Sequence, residues 1–313
     1  MADIFSPDTY HHHLLQADAS GAADYLCRFP EKQALAQRYH ERFELRHFDA
    51  PTDNSAINAI LSAYADYYCD ACWKHMKRAA AEINLHDRLR SLFPAASSMS
   101  LQDMEDSVIH DAFADAGYHF LGGCTGELRG PYVWRDTETC TYDVELPDST
   151  QPYAVKLLDG FIHKSWLDYL SFGALGTGGW TDDDGVICCV RAGYDFDSEN
   201  FRVSLLRHEA QHAADLRRYT GLRQHELEYR AKLVELIYSQ ERDMLTQFMH
   251  EADPEHEGVS HSFAAEMIMR DLCKHFFCDR SRLQSIPRSR LQEAACALLT
   301  ASTESLQGRL KHP

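Results

Sequence analysis

The sequence predicts an α+β protein that is mostly helical, in which a small mixed or antiparallel sheet precedes one histidine-bearing helix and further helices flank both ends. Apolar residues recur at helical spacing near both ends of the chain. Glycine, threonine and aromatic residues become frequent between residues 118 and 190, where short alternating runs are typical of strands. The segment from Ser204 to Tyr238 then predicts two helices joined by a turn at Gly221.

The first 116 residues are predicted to form an α-helical region that carries no catalytic motif. Residues 1–30 are expected to be loosely structured, with His11, His12 and His13 in a polar surface turn. Three helices are expected after this segment, and Gly117 suits the end of the last one. They span residues 31–48, 55–92 and 101–116.

Residues 117–313 are predicted to form a second domain, which holds the functional site and the C-terminal helices. Alternating apolar and polar residues predict its strands, and apolar residues at helical spacing predict its helices. The strands are expected at residues 118–121, 132–136, 139–146, 153–158 and 186–190. The helices are expected at residues 161–172, 204–219, 224–250, 260–277 and 288–306.

The string HEAQH, which contains His208, Glu209 and His212, is the strongest functional signal in the chain. Positions four apart lie about 40° apart around a helix, so both imidazoles can be directed at one point. Zinc takes such nitrogen ligands at about 2.0–2.1 Å, and a catalytic zinc site has three protein ligands and an open position. Glu209 can flank the metal without binding it. We therefore predict a site for one Zn²⁺ ion per chain.

The third metal ligand is predicted to be Glu228, which lies on the helix that follows the histidines. A short turn between the two helices would fold the second back on the first and bring Glu228 towards His208 and His212. Glu226 and Glu235 lie on the same predicted helix and are alternatives for this ligand.

An H-E-x-x-H motif followed by a glutamate on the next helix resembles the gluzincin zinc metallopeptidases. The string EYRA, which begins at Glu228, is similar to the Glu-aromatic-x-Ala segment of membrane-bound heat-shock and prenyl-protein proteases. The resemblance covers residues 204–238. It implies a zincin-like core with His208, His212 and Glu228 as zinc ligands and Glu209 as general base.

The chain departs from this family pattern at Lys232, where the family has an aspartate that would steady the first histidine. Metal-bound histidines usually need such a partner. Asp215 is the predicted replacement, because it lies about two turns after His208 on the same helix face.

The predicted function is hydrolysis of peptide bonds by a metal-activated water, with Glu209 as general base. The tetrahedral oxyanion needs a hydrogen-bond donor besides the metal, and Tyr219 is taken as the catalytic donor. The other candidates near the motif in sequence are Tyr229, His225, Arg230 and Tyr194.

Zinc peptidases of the class that this segment resembles bind extended substrate along the edge strand of a small sheet, through backbone hydrogen bonds. Gly178-Gly179-Trp180 or the strand at residues 186–190 is predicted to form that edge. A glycine-rich hairpin without substrate contact is the alternative.

The formal net charge of −17 argues against nucleic acid or an anionic membrane as a main partner, so a peptide or protein substrate is expected. The first residues lack the pattern of a signal peptide, and no long apolar run is present, so a cytoplasmic location is expected. The ten cysteines are expected to be reduced there, with Cys69 and Cys72 as core thiols.

Three other kinds of protein share parts of this pattern. A di-iron carboxylate protein uses Glu-x-x-His, the spacing of Glu209 and His212, and would bind two irons instead of one zinc. A non-catalytic protein could use zinc only to tie helices together, and a regulator could cleave one dedicated partner. Structural zinc usually has four protein ligands, whereas the sequence offers three, which favours catalysis.

Overall fold

The computed structural model describes residues 4–126, 128–182, 184–240, 243–253 and 260–311, and it confirms the α+β class. The chain divides into two compact units. The first consists of Met1–Asp136 and Asp159–Thr177, and the second of Thr137–Leu158 and Gly178–Pro313.

The first unit is mostly helical. Its strands β1, β4 and β7 form an antiparallel sheet in that order, and β2 pairs with β3. The helices are α1 (Pro7–Leu15), α2 (Ala19–Leu26), α3 (Gln33–Tyr39), α4 (Ser55–Tyr68), α5 (Arg78–Leu92), α6 (Leu101–Met104), α7 (His110–Asp115) and α8 (Ser165–Leu170). The strands are β1 (His119–Leu121), β2 (Cys124–Thr125), β3 (Leu128–Arg129), β4 (Tyr132–Trp134) and β7 (His163–Lys164).

The two compact units do not divide at residue 116, where the sequence predicts a domain boundary. Phe120, Val133 and Trp166 are buried in the same hydrophobic core as the N-terminal helices, so the segments that carry them belong to the first unit. The helix expected at residues 161–172 is also shorter, because β7 precedes it and α8 ends at Leu170.

The N-terminal segment is helical, contrary to the prediction that residues 1–30 are loosely structured. The side chain of Ser6 accepts a hydrogen bond at the start of α1, and Asp18 does the same for α2. Leu14 and Leu26 are fully buried, so both helices contribute to the core of the first unit.

The single helix predicted at residues 55–92 is interrupted between α4 and α5. His75 has a φ of 50°, which lies outside the helical region and ends the helical path. Just before it, the buried carboxylate of Asp70 accepts hydrogen bonds from Arg46 at 2.6 Å and from Arg88 at 3.0 Å. These bonds stabilise the break.

The second unit joins a four-stranded sheet to a group of helices, and buried residues from both form one hydrophobic core. A segment of wider, π-type turns, Asn200–Arg207, leads directly into α9. The strands are β5 (Asp136–Leu146), β6 (Ser149–Asp159), β8 (Gly179–Thr181) and β9 (Ile187–Val190). The helices are α9 (His208–Arg218), α10 (Gln224–Tyr238), α11 (Asp243–Glu251), α12 (Ser260–Phe276), α13 (Arg280–Leu283) and α14 (Arg288–Lys311).

The sheet of the second unit has the strand order β5-β6-β9-β8 and is mixed. β9 lies parallel to β6 and antiparallel to β8. All four residues of β9 are buried, as expected for an inner strand, whereas β8 has β9 as a neighbour on one side and forms an edge.

The helix predicted at residues 224–250 is two helices, α10 and α11. α10 ends at Tyr238, and the backbone of Ser239 is extended. The hydroxyl of Ser239 donates to the Glu199 carboxylate at 2.6 Å. Gln240 N donates to the same carboxylate at 3.0 Å, so the break is fixed by hydrogen bonds. Among the described segments, no helix has the length and apolar character needed to cross a membrane.

Candidate metal centre

The helices α9 and α10 bring the predicted site residues together. Gly221 has a φ of 74°, which lets the chain turn sharply after α9. His208, at the start of α9, contacts Glu235 near the end of α10. His212, one turn later, contacts Glu228, which lies nearer the start of α10. The two helices are therefore antiparallel, as the sequence predicts.

Three buried side chains form the candidate metal site between these helices. Nε2 of His208 and Nε2 of His212 are 2.9 Å apart. Glu228 Oε2 lies 3.3 Å from His208 Nε2, and Glu228 Oε1 lies 3.6 Å from His212 Nε2. Bonds of about 2.0–2.1 Å to a tetrahedral ion would set its ligand atoms about 3.3 Å apart. The three groups can therefore hold one metal ion.

Glu235 orients the first histidine. Its Oε1 lies 2.7 Å from Nδ1 of His208, and both side chains are buried. A carboxylate accepts hydrogen bonds, so Nδ1 carries a proton and Nε2 faces the metal site, where it can bind either a second proton or a metal ion. Nδ1 of His212 is also buried, and it has no hydrogen-bond partner among the residues that the structure describes.

Asp215 does not orient His208, so this prediction is wrong. Its two oxygens accept hydrogen bonds from Nε and Nη2 of Arg230 at 2.8 and 2.9 Å, and Gln211 Nε2 donates to it at 2.9 Å. Two turns along one helix separate two residues by about 10 Å, which is beyond hydrogen-bond reach. The partner of His208 comes from the facing helix instead.

The Asp215–Arg230 pair predicts a large effect on stability. Both side chains are buried, so Asp215→Ala leaves a guanidinium without its counter-charge in the interior. We expect the free energy of unfolding to fall by about 3–5 kcal/mol in chemical denaturation. Asp197→Ala is the matched control, because Asp197 pairs with Arg202 at the surface, and there the loss should stay below about 1 kcal/mol. Equal losses for the two variants would contradict this account.

Glu209 follows His208 on α9, and its buried carboxylate is held by the edge strand. Thr181 is the last residue of β8, and its hydroxyl lies 2.7 Å from Oε2 of Glu209. The same hydroxyl is 3.1 Å from the backbone oxygen of Glu209. Burial raises the pKa of Glu209 above its ordinary value, so this carboxyl is a stronger base than an exposed glutamate.

The charges of the site favour positive charge between the imidazoles. Burial lowers the pKa of His208, but Glu235 and Glu228 outweigh burial and raise it to about 10. Burial and the neighbouring His208 lower the pKa of His212 to about 3. Burial raises the pKa of Glu228, but the histidines around it outweigh burial and hold the pKa below its usual range. The carboxylates thus stabilise a positive charge, whether a proton or a metal ion carries it.

The two alternatives for the third ligand have other roles. Glu226 accepts a hydrogen bond from the backbone N of Arg223 at 3.0 Å and one from Arg309 at 2.8 Å, so it caps the start of α10. Glu235 is the partner of His208. Glu228 is therefore the glutamate of α10 that meets both histidines.

Tyr219, the predicted oxyanion donor, lies on the Asp215 side of α9. Its ring is 5.6 Å from the guanidinium of Arg230, and no contact with the metal site is present among the described residues. Two further candidates are also used elsewhere. Tyr229 donates to Asp271 at 3.2 Å, and the ring of His225 packs on Phe263.

Tyr194 is a candidate donor whose pKa responds to the glutamates of α9 and α10. Burial raises this pKa to about 12, and the charges of Glu209 and Glu235 add to the effect. Its hydroxyl lies against Gly178, immediately before β8, where a Cβ atom would collide with it. Tyr194 therefore lies at the start of the edge strand that also holds Glu209.

β8 is one edge of the four-stranded sheet and β5 is the other, whereas β9 is an inner strand, so of the two segments predicted to form an edge only the glycine-containing one does so. Gly178 O accepts a hydrogen bond from β9, and Asp182 N donates one to the residue before β9. Along an antiparallel ladder, residues that are hydrogen-bonded to the neighbouring strand alternate with residues whose backbone groups point away from it. The backbone N–H and C=O of Gly179 and Thr181 therefore point to the open edge.

Sequence reasoning missed two residues at the site. Thr181 lies outside the motif, and nothing in its sequence setting distinguishes it from other strand residues. His261, on α12, lies 3.1 Å from Glu228 through its Nδ1, and it had no detectable spacing relation to the motif. Glu235 was considered as a metal ligand and not as the partner of His208. It lies two turns after Glu228 on the same helix face, which indicates that both side chains face α9.

Comparison of the chain with protein-family models, with curated proteins and with solved structures gives no significant match. The geometry of α9, α10 and β8 is therefore the basis for assigning a function.

The contact between Glu235 and His208 predicts a graded effect on metal affinity. Glu235→Leu removes the acceptor of His208 Nδ1, and we expect zinc affinity to fall about 10- to 100-fold. Glu235→Gln keeps an acceptor oxygen but not the charge, so its affinity should lie between those of the Leu variant and the parent. Competition against a chromophoric chelator measures all three. Equal affinity in the Leu variant and the parent would show that Glu235 does not support the ligand.

Proposed function

We propose that this protein is a zinc-dependent metallopeptidase that hydrolyses peptide bonds in a peptide or protein substrate. One observation supports this most strongly. His208, His212 and Glu228 meet at the spacing of a tetrahedral ion, and the buried carboxylate of Glu209 is near enough for the charges of His208 and Glu228 to shift its pKa. The same carboxylate is hydrogen-bonded to the edge strand, where an extended substrate could bind.

The donor set fits zinc. Two imidazole nitrogens and one carboxylate oxygen are the ligands of many catalytic zinc sites, whereas calcium and magnesium prefer oxygen alone. Nε2 of His208 faces the site because Glu235 holds the opposite ring nitrogen. When bound, zinc polarises a carbonyl group and lowers the pKa of a coordinated water to about 7.

Glu209 is the proposed general base. Thr181 contacts Oε2 of its carboxylate and fixes its orientation, and the carboxylate would take the proton of the attacking water. The carboxyl then returns that proton to the leaving amine. Its raised pKa, which burial causes, suits both steps because the group can hold a proton transiently.

The substrate is proposed to bind as an extended chain along β8. Gly179 and Thr181 offer backbone donors and acceptors at the open edge, as β-augmentation requires. Thr181 thus connects the bound peptide to the base through one residue, because its backbone faces the edge while its hydroxyl binds Glu209.

Tyr194 is the proposed donor to the oxyanion. Its hydroxyl lies against Gly178 at the start of the edge strand, and its pKa responds to the charge of Glu209. Because burial holds the pKa well above neutrality, the hydroxyl keeps its proton and can donate it in a hydrogen bond.

A non-catalytic metal-binding protein is the second candidate function, and one observation favours it. His208, Glu209, His212 and Glu228 are each less than a tenth exposed, which is more typical of a structural site than of an open active site. A peptide could reach such a site only if the side chains that contact Glu228 from the solvent side, including His261 on α12, leave room for it.

A peptidase assay with controlled metal content separates the two. The purified protein is stripped with chelator, reloaded with one zinc per chain and incubated with a proteome-derived peptide library. We expect cleavage that chelator stops and zinc restores. Zinc-loaded protein that cleaves no library peptide and no unfolded protein would contradict the peptidase proposal and support the non-catalytic alternative.

A further inference from the structure

His261 brings a third helix to the metal site. It lies in the first turn of α12, and its Nδ1 is 3.1 Å from Oε2 of Glu228. This is the same oxygen that lies 3.3 Å from His208 Nε2. The side chain of His261 is 54% exposed, whereas that of Glu228 is 4% exposed. His261 therefore contacts the predicted third ligand from the solvent side.

The other oxygen of Glu228 has a neighbour of its own. Gln224, one turn earlier on α10, donates from Nε2 to Oε1 at 3.3 Å. Oε1 thus has a hydrogen-bond donor that is not a metal ligand, whereas Oε2 accepts no hydrogen bond from the described residues and has the His261 nitrogen as a close neighbour. A glutamate side chain has several rotatable bonds, and fixing it in one conformation costs entropy that such contacts offset before an ion arrives.

We propose that His261 is a positioning residue of the metal centre, whose ring lies against Oε2 of Glu228 from the solvent side and holds the carboxylate towards His208 and His212. This inference rests on the metal binding of the proposed function but not on peptidase activity. It also assigns a role to α12, which no residue of the H-E-x-x-H segment predicts.

The geometry distinguishes a positioning role from direct ligation. The rings of His261 and His208 lie 18° from parallel with centroids 6.0 Å apart, and His261 is outside the group of His208, His212 and Glu228, whose ligand atoms all lie within 4.8 Å of one another. The rings of His208 and His212, by contrast, are nearly perpendicular with centroids 4.6 Å apart, and their Nε2 atoms meet. The nitrogen of His261 that faces the site meets a carboxylate oxygen of Glu228.

Zinc affinity of the full-length protein tests this proposal, with Zn²⁺ alone as the probe and a chromophoric chelator as competitor. We expect His261→Ala to weaken zinc binding about 10- to 100-fold, the range found when outer partners of ligands are removed. His261→Gln can donate a hydrogen bond and should recover most of the loss. His275→Ala is the control, because His275 lies at the far end of the same helix and should leave the affinity unchanged.

X-ray absorption at the zinc edge separates the remaining outcomes. We expect two imidazoles around zinc in the parent and in His261→Ala. Three imidazoles in the parent would overturn the proposal, because His261 would then be a ligand itself. Unchanged zinc affinity in His261→Ala would also overturn it and leave the proposed function intact. A parent protein that binds no zinc would overturn the proposed function as well.

Discussion

Glu209→Gln should bind one zinc per chain with unchanged affinity and lose peptide hydrolysis by about 100- to 10,000-fold or more, the contribution typical of a general base. Glutamine has the size of glutamate, and its amide oxygen can still accept the hydrogen bond from Thr181. It cannot take up a proton near neutral pH. The loss should therefore appear in kcat, measured on a peptide that the parent cleaves, while zinc content stays the same.

Glu226→Gln is the matched control for this experiment. It makes the same chemical change on a carboxylate that caps α10, and it should leave kcat within about twofold, because glutamine keeps an oxygen that can accept the capping hydrogen bond from Arg223 N. Turnover that persists in Glu209→Gln would remove Glu209 as the base. Loss of zinc from that variant would instead show that Glu209 supports metal binding.

Glu228→Ala should lose zinc, with affinity reduced by more than about 100-fold, because removal of a ligand exceeds the effect of removing an outer partner. Glu228 meets both histidines, so the variant leaves two imidazoles that cannot complete the site. Equilibrium dialysis followed by metal analysis measures the loss. The same Glu226→Gln variant serves as control, since Glu226 lies two residues earlier on the same helix and contacts Arg223 and Arg309.

Unchanged metal content in Glu228→Ala would exclude Glu228 as a ligand. Two irons per chain in the parent would favour the di-iron alternative over zinc.

The sequence predicts the meeting of His208, His212 and Glu228 where local helical geometry determines it. The spacing of His208 and His212 follows from the helical repeat alone. A turn at Gly221 that returns α10 along α9 is enough to bring Glu228 to the histidines. The histidine spacing and the turn both depend only on residues within α9, α10 and the segment that joins them.

The sequence does not predict the groups that support these ligands, because they come from other elements. Glu235 reaches His208 only because of the register of α10 on α9, while Asp215 is taken by Arg230. Thr181 and His261 reach the site from a strand and from a third helix. Their positions depend on tertiary packing, for which single-sequence periodicity carries no signal.

The fold shows the same limit at the ends of helices. Apolar spacing continues through residues 55–92 and 224–250, so periodicity predicts unbroken helices there. Both helices are interrupted in the structure, and carboxylates bind the chain at each interruption. Asp70 stabilises the break after α4, and Glu199 stabilises the break after α10. Such side-chain bonds form between residues distant in sequence and override local propensity.

A crystal structure of the zinc-loaded protein, with anomalous data collected at the zinc edge, tests the central claim most directly. We expect one peak per chain about 2.0–2.1 Å from Nε2 of His208 and Nε2 of His212, with a Glu228 oxygen at about 2.0–2.2 Å. A zinc peak elsewhere, or no peak between α9 and α10 in protein that contains stoichiometric zinc, would contradict the account.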